Sequence, residues 1–322
     1  MLLSQFSALL LRHRISLTTA VASLLAAPIY AQDLKLTPVH YHTPYAHYAN
    51  NLQPVHLAPA PAAPSSLLNG LPAQLRSEIA YVQDLASSTT LYQKNSTVVR
   101  PIASITKLMT ALVVLEAAQD MDEILEVSSA DIDRVKNTTS RLGVGSRLSR
   151  ADMLHLALMS SENRAANALG RYYPGGLSAF VRAMNDKARA LGMRQTRFVE
   201  PTGLSSENVS SPRDLVALMQ ATAKQPLIHQ YTTSEQHIVE PRPGRQLVYG
   251  NTNRLVQNDK WDIQVSKTGF INEAGQCLVL LTKLEGRDIA IVLLNAQGRY
   301  SRIGDAIRLR NLVEGSNKLA ML

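Results

Sequence analysis

Residues 100–118 read RPIASITKLMTALVVLEAA, and the fold and the chemistry of the chain are both best predicted from this stretch. From Ile105 to Ala118 it has no Gly or Pro and is apolar almost all round, which is typical of a central helix buried on every side. Ser104 stands where an extended segment ends and this helix begins. Its backbone N–H therefore belongs to the donors that a helix start leaves unpaired, and such a donor can stabilise an oxyanion.

Lys107 follows Ser104 by three residues, so we expect the two side chains on one face of the helix. It is the only charged residue in 102–115, and desolvation there should lower its pKa. A neutral Lys107 can take the proton of Ser104 and make the serine a nucleophile. The alternative is an N-cap serine beside a lysine that reaches the surface, which is the more frequent meaning of a lone Ser-x-x-Lys. No other Ser-x-x-Lys occurs in the chain.

Two further triplets carry suitable chemistry. Ser161-Glu162-Asn163 follows an apolar helical stretch, and Lys267-Thr268-Gly269 is expected to end a strand over 263–265. A hydroxyl and an amide can relay a proton and hold a carbonyl, a cation can hold a carboxylate, and a glycine lets a substrate backbone approach. Each triplet alone is weak evidence, whereas the ordered trio is far more specific.

Ser-Glu-Asn occurs a second time, at Ser206-Glu207-Asn208. This copy follows Pro201-Thr202-Gly203 in a predicted loop, whereas the first copy adjoins a helix. We therefore interpret the second copy as shaping the loop rather than as catalytic.

The remaining patterns predict an α+β fold. Residues 77–100 are typical of a β-hairpin, 119–225 are expected to be mainly helical, and strand patterns return after 235, before a terminal helix over 299–313. Helix starts are predicted after Ser149 and Ser211, and a helix end at Gly192. One sheet is therefore expected from the two ends of the chain, with an inserted helical lobe over about 119–232.

The N-terminal segment is predicted to direct export. Residues 1–31 combine basic Arg12 and Arg14, a short apolar run and a small residue, Ala31, at the exit, which is typical of a cleavable signal peptide. Residues 32–70 are rich in Pro and His without apolar periodicity and are interpreted as an extended tether. A catalytic domain over 71–318 follows. Because of this cleavable signal peptide the chain is predicted to be periplasmic, and no stable membrane span is expected after cleavage.

Composition narrows the function classes. The chain has 322 residues, 45% of them hydrophobic, and a formal charge of +8, which is too mild to indicate nucleic acid as a partner. The single cysteine, Cys277, excludes an intramolecular disulfide and is interpreted as a small buried hydrophobe. No metal or organic cofactor is indicated.

Ser-x-x-Lys, Ser-x-Asn and Lys-Thr-Gly, in this order, resemble the signature of penicillin-binding proteins and serine β-lactamases. Neighbouring segments resemble the low-molecular-mass DD-peptidases: RPIAS (100–104), SRL (140–142), LGM (191–193), PTGL (201–204) and KTGF (267–270). SSENRAA (160–166) and YPGG (173–176) are most similar to D-alanyl-D-alanine endopeptidases of the penicillin-binding protein 7 type, in the S11 peptidase family. The resemblance implies a β-lactamase/transpeptidase-like fold, with an antiparallel sheet flanked by helices.

The resemblance also implies a role for each motif residue. Ser104 forms the acyl-enzyme, Lys107 is its general base and Ser161 passes a proton to the leaving amine. Asn163 binds the acyl-side amide, Lys267 and Thr268 hold a substrate carboxylate, and Gly269 admits the substrate backbone. The backbone N–H groups of Ser104 and Phe270 form the oxyanion hole. Glu162 stands where many relatives carry Gly or Asp, which puts the leaving-group preference in question.

The implied substrates are peptidoglycan stem peptides, with β-lactam antibiotics as covalent inhibitors. A cross-link endopeptidase is favoured, since the chain stops soon after its terminal helix, whereas many carboxypeptidases continue into a further β-domain and an anchor. A D-alanyl-D-alanine carboxypeptidase remains the alternative. A β-lactamase is disfavoured because the chain has no Glu-x-x-Leu-Asn. A non-catalytic penicillin-binding wall protein is disfavoured because all the motif residues are intact.

Overall fold

The computed structural model describes residues 74–320, with side chains through residue 315. The predicted signal peptide, the predicted tether and the first residues of the predicted catalytic domain lie outside the described residues. The strands are β1 (Ser77–Asp84), β2 (Thr90–Lys94), β3 (Arg100–Pro101), β4 (Ile124–Glu126), β5 (Arg147–Ser149), β6 (Val209–Ser210), β7 (Gln236–Arg242), β8 (Arg245–Gly250), β9 (Asp262–Ile271), β10 (Gly275–Leu284) and β11 (Arg287–Ala296). The helices are α1 (Thr106–Glu116), α2 (Arg150–Met159), α3 (Asn163–Arg171), α4 (Gly176–Ala190), α5 (Pro212–Thr222), α6 (Pro226–Thr233) and α7 (Ser301–Ala320).

Strands from both ends of the described chain form one antiparallel sheet. Its order is β2-β1-β11-β10-β9, so the N-terminal hairpin pairs with the C-terminal meander through β1 and β11. Helices α2 to α6 lie between these two groups of strands in the chain. The predicted α+β class, with a sheet built from both ends, is confirmed.

Both faces of the sheet are covered by helices. Along β11, Val292 packs into a core cluster with Leu108 of α1, whereas its neighbour Ile291 packs into a second cluster with Leu309 of α7. Successive side chains of a strand point to opposite faces, so a strand covered on both sides is apolar throughout. This explains why the C-terminal strands read as continuous apolar runs.

Helix α1 is the buried central helix that the sequence predicts. Every residue from Thr106 to Val114 is buried, including the cation Lys107. The predicted helix termini are also observed. The hydroxyls of Ser149 and Ser211 accept the N–H of the residue three positions on, and Gly192 has a φ of +73° after α4.

Two predictions of local structure were wrong. Residues 119–149 are not helical: they contain the antiparallel pair β4–β5 and a short 3-10 turn over Ser129–Asp131. A capping box of Ser128 and Asp131 closes that turn, so polar contacts and not apolar periodicity organise this segment. In addition, β9 continues to Ile271, so the Lys-Thr-Gly motif lies inside the strand and does not end it.

Cys277 on β10 stands opposite Gly269 on β9 and is fully buried. Burial raises the pKa of its thiol to about 11, which agrees with the interpretation of Cys277 as a buried apolar side chain. Within residues 74–320, the helices are all too short or too polar to cross a bilayer.

Candidate active site

Ser104 lies in a single 3-10 turn, Ala103–Ile105, that leads directly into α1. The residue before it, Ala103, has a φ of +48°, a region that non-glycine residues seldom occupy. Such backbone strain persists only where the surrounding structure imposes it, and it is frequent at functional sites. Here it presents Ser104 at the junction of an extended segment and a buried helix, as the sequence predicts.

Two glycines allow the chain to pack closely around this turn. A Cβ atom on Gly203, which has a φ of +84°, would lie 1.9 Å from the carbonyl oxygen of Ala103. A Cβ on Gly269 would lie 3.0 Å from the backbone nitrogen of Ser104. Gly269 of β9 therefore lies directly beside the backbone nitrogen of Ser104, and a side chain at this position would force its neighbours to shift.

Lys107 contacts Ser104 from one helical turn away. Its Nζ lies 2.9 Å from Ser104 Oγ, 2.8 Å from Asn163 Oδ1 and 2.6 Å from the carbonyl oxygen of Thr202. The side chain is fully buried, and desolvation lowers its pKa from 10.5 to about 8, against smaller opposing effects of Glu200 and Glu162. At pH 7 about a tenth of the molecules therefore carry a neutral Lys107, far more than at its ordinary pKa.

The three partners of Lys107 also determine where its lone pair points. A neutral amine has two N–H groups and one lone pair, and a carbonyl oxygen can only accept. Asn163 Oδ1 and Thr202 O therefore take the two N–H groups, which leaves the lone pair for the hydroxyl of Ser104. Asn163 is held in this orientation because its Nδ2 donates to Thr138 Oγ1 over 3.1 Å. The deprotonated state is thus aimed at the proton that it would remove.

Ser161 and Asn163 stand at the start of α3. Ser161 has a φ of +62°, and the side chain of Glu162 caps the helix by accepting the N–H of Arg164. Glu162 also accepts a hydrogen bond from Ser140 Oγ over 2.6 Å. The middle residue of this motif therefore fixes the start of the helix, which in turn places Ser161 and Asn163 at the site.

Lys267 is buried beside Ser161. Its Nζ donates to Ser161 Oγ and to the carbonyl oxygen of Thr268, each over 3.0 Å. Desolvation, followed by the charges of Lys107 and Arg302, lowers the pKa of Lys267 well below its ordinary value. Thr268 Oγ1 donates to Thr252 Oγ1 over 2.7 Å. All three predicted motifs thus meet at one place, through direct contacts between Lys107 and Asn163 and between Lys267 and Ser161.

These groups open into a cavity of about 400 Å³. Among its lining residues are six predicted ones: Ser104, Ser161, Asn163, Thr268, Gly269 and Phe270. Phe270 lies at its rim with 54% of its surface exposed. Lys107 and Lys267 are packed behind this lining, where water does not reach them.

Sequence reasoning missed several residues of the site. Arg302 on α7 lines the cavity and donates from Nη1 to the carbonyl oxygen of Gly269 over 2.8 Å. Lys136 lines it too and pairs with Glu273 over 2.5 Å. Neither residue stands in a motif, and each is one of many basic residues in the sequence. Thr202 contributes only a carbonyl, which no side-chain pattern reveals.

The second Ser-Glu-Asn has a structural role in the loop. Asn208 is fully buried, accepts the N–H of Val199 over 2.7 Å and donates to the carbonyl oxygen of Glu200 over 2.8 Å. It thereby holds the loop that supplies the Thr202 carbonyl to Lys107. Among the described residues, no three or more His, Cys, Asp or Glu side chains are grouped so that they could hold a metal ion.

Comparison with known proteins gives consistent matches. The model of the S11 peptidases, described as D-alanyl-D-alanine carboxypeptidase, matches residues 67–298. A D-alanyl-D-alanine endopeptidase of Pseudomonas aeruginosa is 50% identical over 248 residues, covering 76% of this chain and 80% of the relative. The endopeptidase of the same description from Escherichia coli is 48% identical over 242 residues, covering 75% and 78%.

Solved structures show the same fold. The Streptomyces K15 DD-transpeptidase superposes with a TM-score of 0.70 at 26% identity, covering 75% of this chain and 98% of that one. Penicillin-binding protein D2 of Listeria monocytogenes, in its ampicillin-bound form, has a TM-score of 0.64 at 29% identity with the same coverage. The expected transpeptidase-like fold is confirmed.

Proposed function

Since this chain belongs to the S11 peptidase family, we propose that it is a serine DD-peptidase that hydrolyses D-alanyl peptide bonds in peptidoglycan cross-links through an acyl-enzyme on Ser104. One observation carries the proposal: Lys107 Nζ lies 2.9 Å from Ser104 Oγ, in a buried setting that brings its pKa to about 8. A serine hydroxyl is a weak nucleophile, and a neutral amine within hydrogen-bond distance is what activates it.

Acylation follows from this geometry. Ser104 Oγ attacks the D-alanyl carbonyl carbon while its proton passes to Lys107 Nζ. The oxyanion accepts hydrogen bonds from the backbone N–H groups of Ser104 and Phe270, and the lack of a side chain at Gly269 lets β9 lie beside the N–H of Ser104. The C–N bond then breaks as the leaving amine takes a proton, which leaves an ester on Ser104.

Ser161 is the proposed relay for that proton. Its hydroxyl accepts from Lys267 and faces the cavity, so it can donate to an amine that departs there. The proton that Lys107 took from Ser104 replaces the one that Ser161 gives away, so Lys107 is neutral again before deacylation. In deacylation a water molecule attacks the ester and gives its proton to Lys107, and Ser104 leaves with a proton returned by the same amine. Both half-reactions thus use Lys107 alternately as base and acid.

Binding of the substrate carboxylate is assigned to Lys267 and Thr268. A carboxylate beside Lys267 stabilises its ammonium form, which raises the pKa that burial has lowered. Asn163 is assigned to the amide on the acyl side of the scissile bond, where its Oδ1 also accepts from Lys107.

We favour the endopeptidase over the carboxypeptidase because the relatives of that description are 50% and 48% identical to this chain, whereas the carboxypeptidase of Bacillus subtilis is 30% identical. Incubation of the mature protein with purified cross-linked muropeptide dimers tests this. Release of monomers is the expected result. Loss of a single D-Ala from pentapeptide ends, with the dimers intact, would establish the carboxypeptidase instead.

β-Lactam antibiotics are proposed as covalent inhibitors of the same serine, because structural relatives are known in ampicillin- and cefotaxime-bound forms. The β-lactam carbonyl takes the place of the D-alanyl carbonyl in the acylation step. Slow hydrolysis of the resulting ester is expected of a peptidase, and rapid turnover of penicillin would indicate a β-lactamase.

The proposed place of action is the periplasm. It is supported by the signal-like residues 1–31 and by the cell-wall activities named for the relatives. In this organisation the tether, residues 32–70, joins the export signal to a catalytic domain over 71–318, with the helical lobe at about 119–232 inserted in it. The N-terminal sequence of the exported protein tests this, and it should begin near residue 32.

A further inference from the structure

A second cavity adjoins the active-site cavity. It has a volume of about 420 Å³ and shares Thr252, Phe270 and Arg302 with the first. Its other lining residues include Arg254, Arg299 and Tyr300. We call this second space the arginine cavity. Because Thr252 accepts the hydroxyl of Thr268, the arginine cavity opens on the side of the site where a substrate carboxylate is proposed to bind.

Its three arginines come from separate parts of the fold. Arg254 begins the 3-10 turn Arg254–Gln257, Arg299 lies in the loop after β11, and Arg302 is in the first turn of α7. Within the part of the chain that the structure describes, none of the three pairs with a carboxylate, and no Asp or Glu lines the arginine cavity. Among the described residues, no carboxylate therefore compensates the positive charge at this place.

Tyr300 brings two of these cations together. The guanidinium carbons of Arg254 and Arg299 each lie 5.5 Å from the centre of its ring, within the range of a cation–π contact. Arg254, Arg299 and Tyr300 are all exposed, so the two arginines remain accessible from solvent. Like charges held close together repel each other, and a bound anion relieves that repulsion.

Arg302 forms the boundary between the two cavities. Its Nη1 is fixed on the carbonyl oxygen of Gly269, whereas its buried Nε has no hydrogen-bond partner among the described residues. A buried N–H without a partner is costly, and an acceptor that enters from either cavity would satisfy it. The planar guanidinium group matches a carboxylate in both charge and shape.

We propose that the arginine cavity binds a carboxylate of the leaving peptide and thereby selects leaving groups that are larger than one amino acid. This deepens the proposed function and rests on it. A single D-Ala has one carboxylate, which Lys267 and Thr268 are assigned to hold. A leaving stem peptide is joined through an internal diamino acid and has a C-terminal carboxylate in addition, and Arg254, Arg299 and Arg302 are placed to receive this second anion.

The test pairs a change in the protein with a change in the substrate. Two cross-linked dimers are compared, with the C-terminal carboxyl group of the leaving peptide either free or converted to the amide. Wild-type protein should cleave the free acid with a kcat/KM about ten-fold higher or more. In the double variant Arg254→Gln/Arg299→Gln this preference should fall below two-fold, because the cations that distinguish the two dimers are gone.

A matched control removes the same charge elsewhere. Arg182 and Arg194 are exposed and lie outside both cavities, so Arg182→Gln/Arg194→Gln should keep the wild-type preference. Melting temperatures establish that both double variants fold. Equal cleavage of the two dimers by the wild type, or an undiminished preference in Arg254→Gln/Arg299→Gln, would overturn the proposal.

A binding measurement separates this proposal from the proposed function. Calorimetric titration of both dimers into a Ser104→Ala protein reports recognition without turnover. If the wild type cleaves neither dimer, the endopeptidase assignment fails. An acid-over-amide preference in binding that Arg254→Gln/Arg299→Gln removes would still support the arginine cavity, and the absence of any preference would reject it.

Discussion

The pKa of Lys107 determines how acylation depends on pH. A lysine with an unperturbed pKa of 10.5 is neutral in about three of ten thousand molecules at pH 7, whereas one with a pKa of about 8 is neutral in about a tenth of them. Burial thus raises the population of the active base about 300-fold. Because the neutral amine is the reactive form, acylation should increase about ten-fold per pH unit below pH 8 and level off above it.

The assay is the second-order rate of covalent labelling by a fluorescent penicillin, followed by stopped flow from pH 5.5 to 9.5. Glu162→Gln shifts the rise to lower pH, since the negative charge of Glu162 is one of the effects that raise the pKa of Lys107. The amide oxygen of Gln can still accept from Ser140 and Arg164, so the helix cap is preserved. If the acylation rate of Glu162→Gln rises over the same pH range as that of the wild type, or at higher pH, the electrostatic account of the base is contradicted.

Lys107→Met is the control for the identity of the base. Methionine has a similar length and fits the apolar helix, so the variant should fold and fail to acylate. The same pKa shift also makes the stability of the folded protein depend on pH. The unfolded chain binds more protons than the native one between pH 8 and 10.5, so wild-type stability should gain up to about 3 kcal/mol over that range relative to the variant. Near-normal acylation by Lys107→Met would mean that another group is the base, and stability curves that stay parallel between pH 8 and 10.5 would contradict the lowered pKa of Lys107.

Three further predictions test the architecture. Ser104→Ala should abolish covalent labelling by penicillin in a protein of normal melting temperature, and persistent labelling would exclude Ser104 as the nucleophile. Gly203→Ala should lower the free energy of unfolding about 1–3 kcal/mol more than Gly192→Ala does. Both glycines have a positive φ, but only a Cβ at residue 203 would meet backbone, at 1.9 Å. Equal losses in urea titrations would show that the loop adjusts. Asn208→Ala should destabilise the protein by about 1–3 kcal/mol, since it leaves buried loop groups unpaired, whereas Asn163→Ala should chiefly slow acylation; the reverse pattern would exchange the roles of the two Ser-Glu-Asn copies.

The sequence predicts best those contacts of the site whose residues are close together in the chain. Ser104 and Lys107 are three residues apart on a helix whose apolar pattern is unambiguous, so their contact follows from helical geometry alone. The other hydrogen-bond partners of Lys107 are distant in the chain. Asn163 and the Thr202 carbonyl reach Lys107 across 56 and 95 residues. Spacing along a chain does not specify such contacts, and a backbone carbonyl has no residue type to recognise.

The errors have a related cause. The apolar pattern predicts a strand over 263–265 that ends at the Lys-Thr-Gly motif, yet β9 continues to Ile271, and Lys267 and Thr268 are buried inside it. Arg302 was missed because nothing distinguishes it locally from Arg299 or Arg308. Polar residues that tertiary contacts bury are thus the ones that periodicity places incorrectly, and in this protein they are the residues of the site.

The proposed mechanism requires Lys107 to be neutral while Lys267 is protonated. Both lysines are buried, and two positive charges there would repel each other. The protein gives Lys107 only neutral acceptors, whereas Lys267 lies beside the cavity that receives an anion. A substrate carboxylate next to Lys267 therefore keeps the proton there, and the ammonium that results disfavours a second charge on Lys107. Binding of the anion at Lys267 thus also favours the neutral form of Lys107. A substrate without that carboxylate would therefore lose acylation rate as well as affinity.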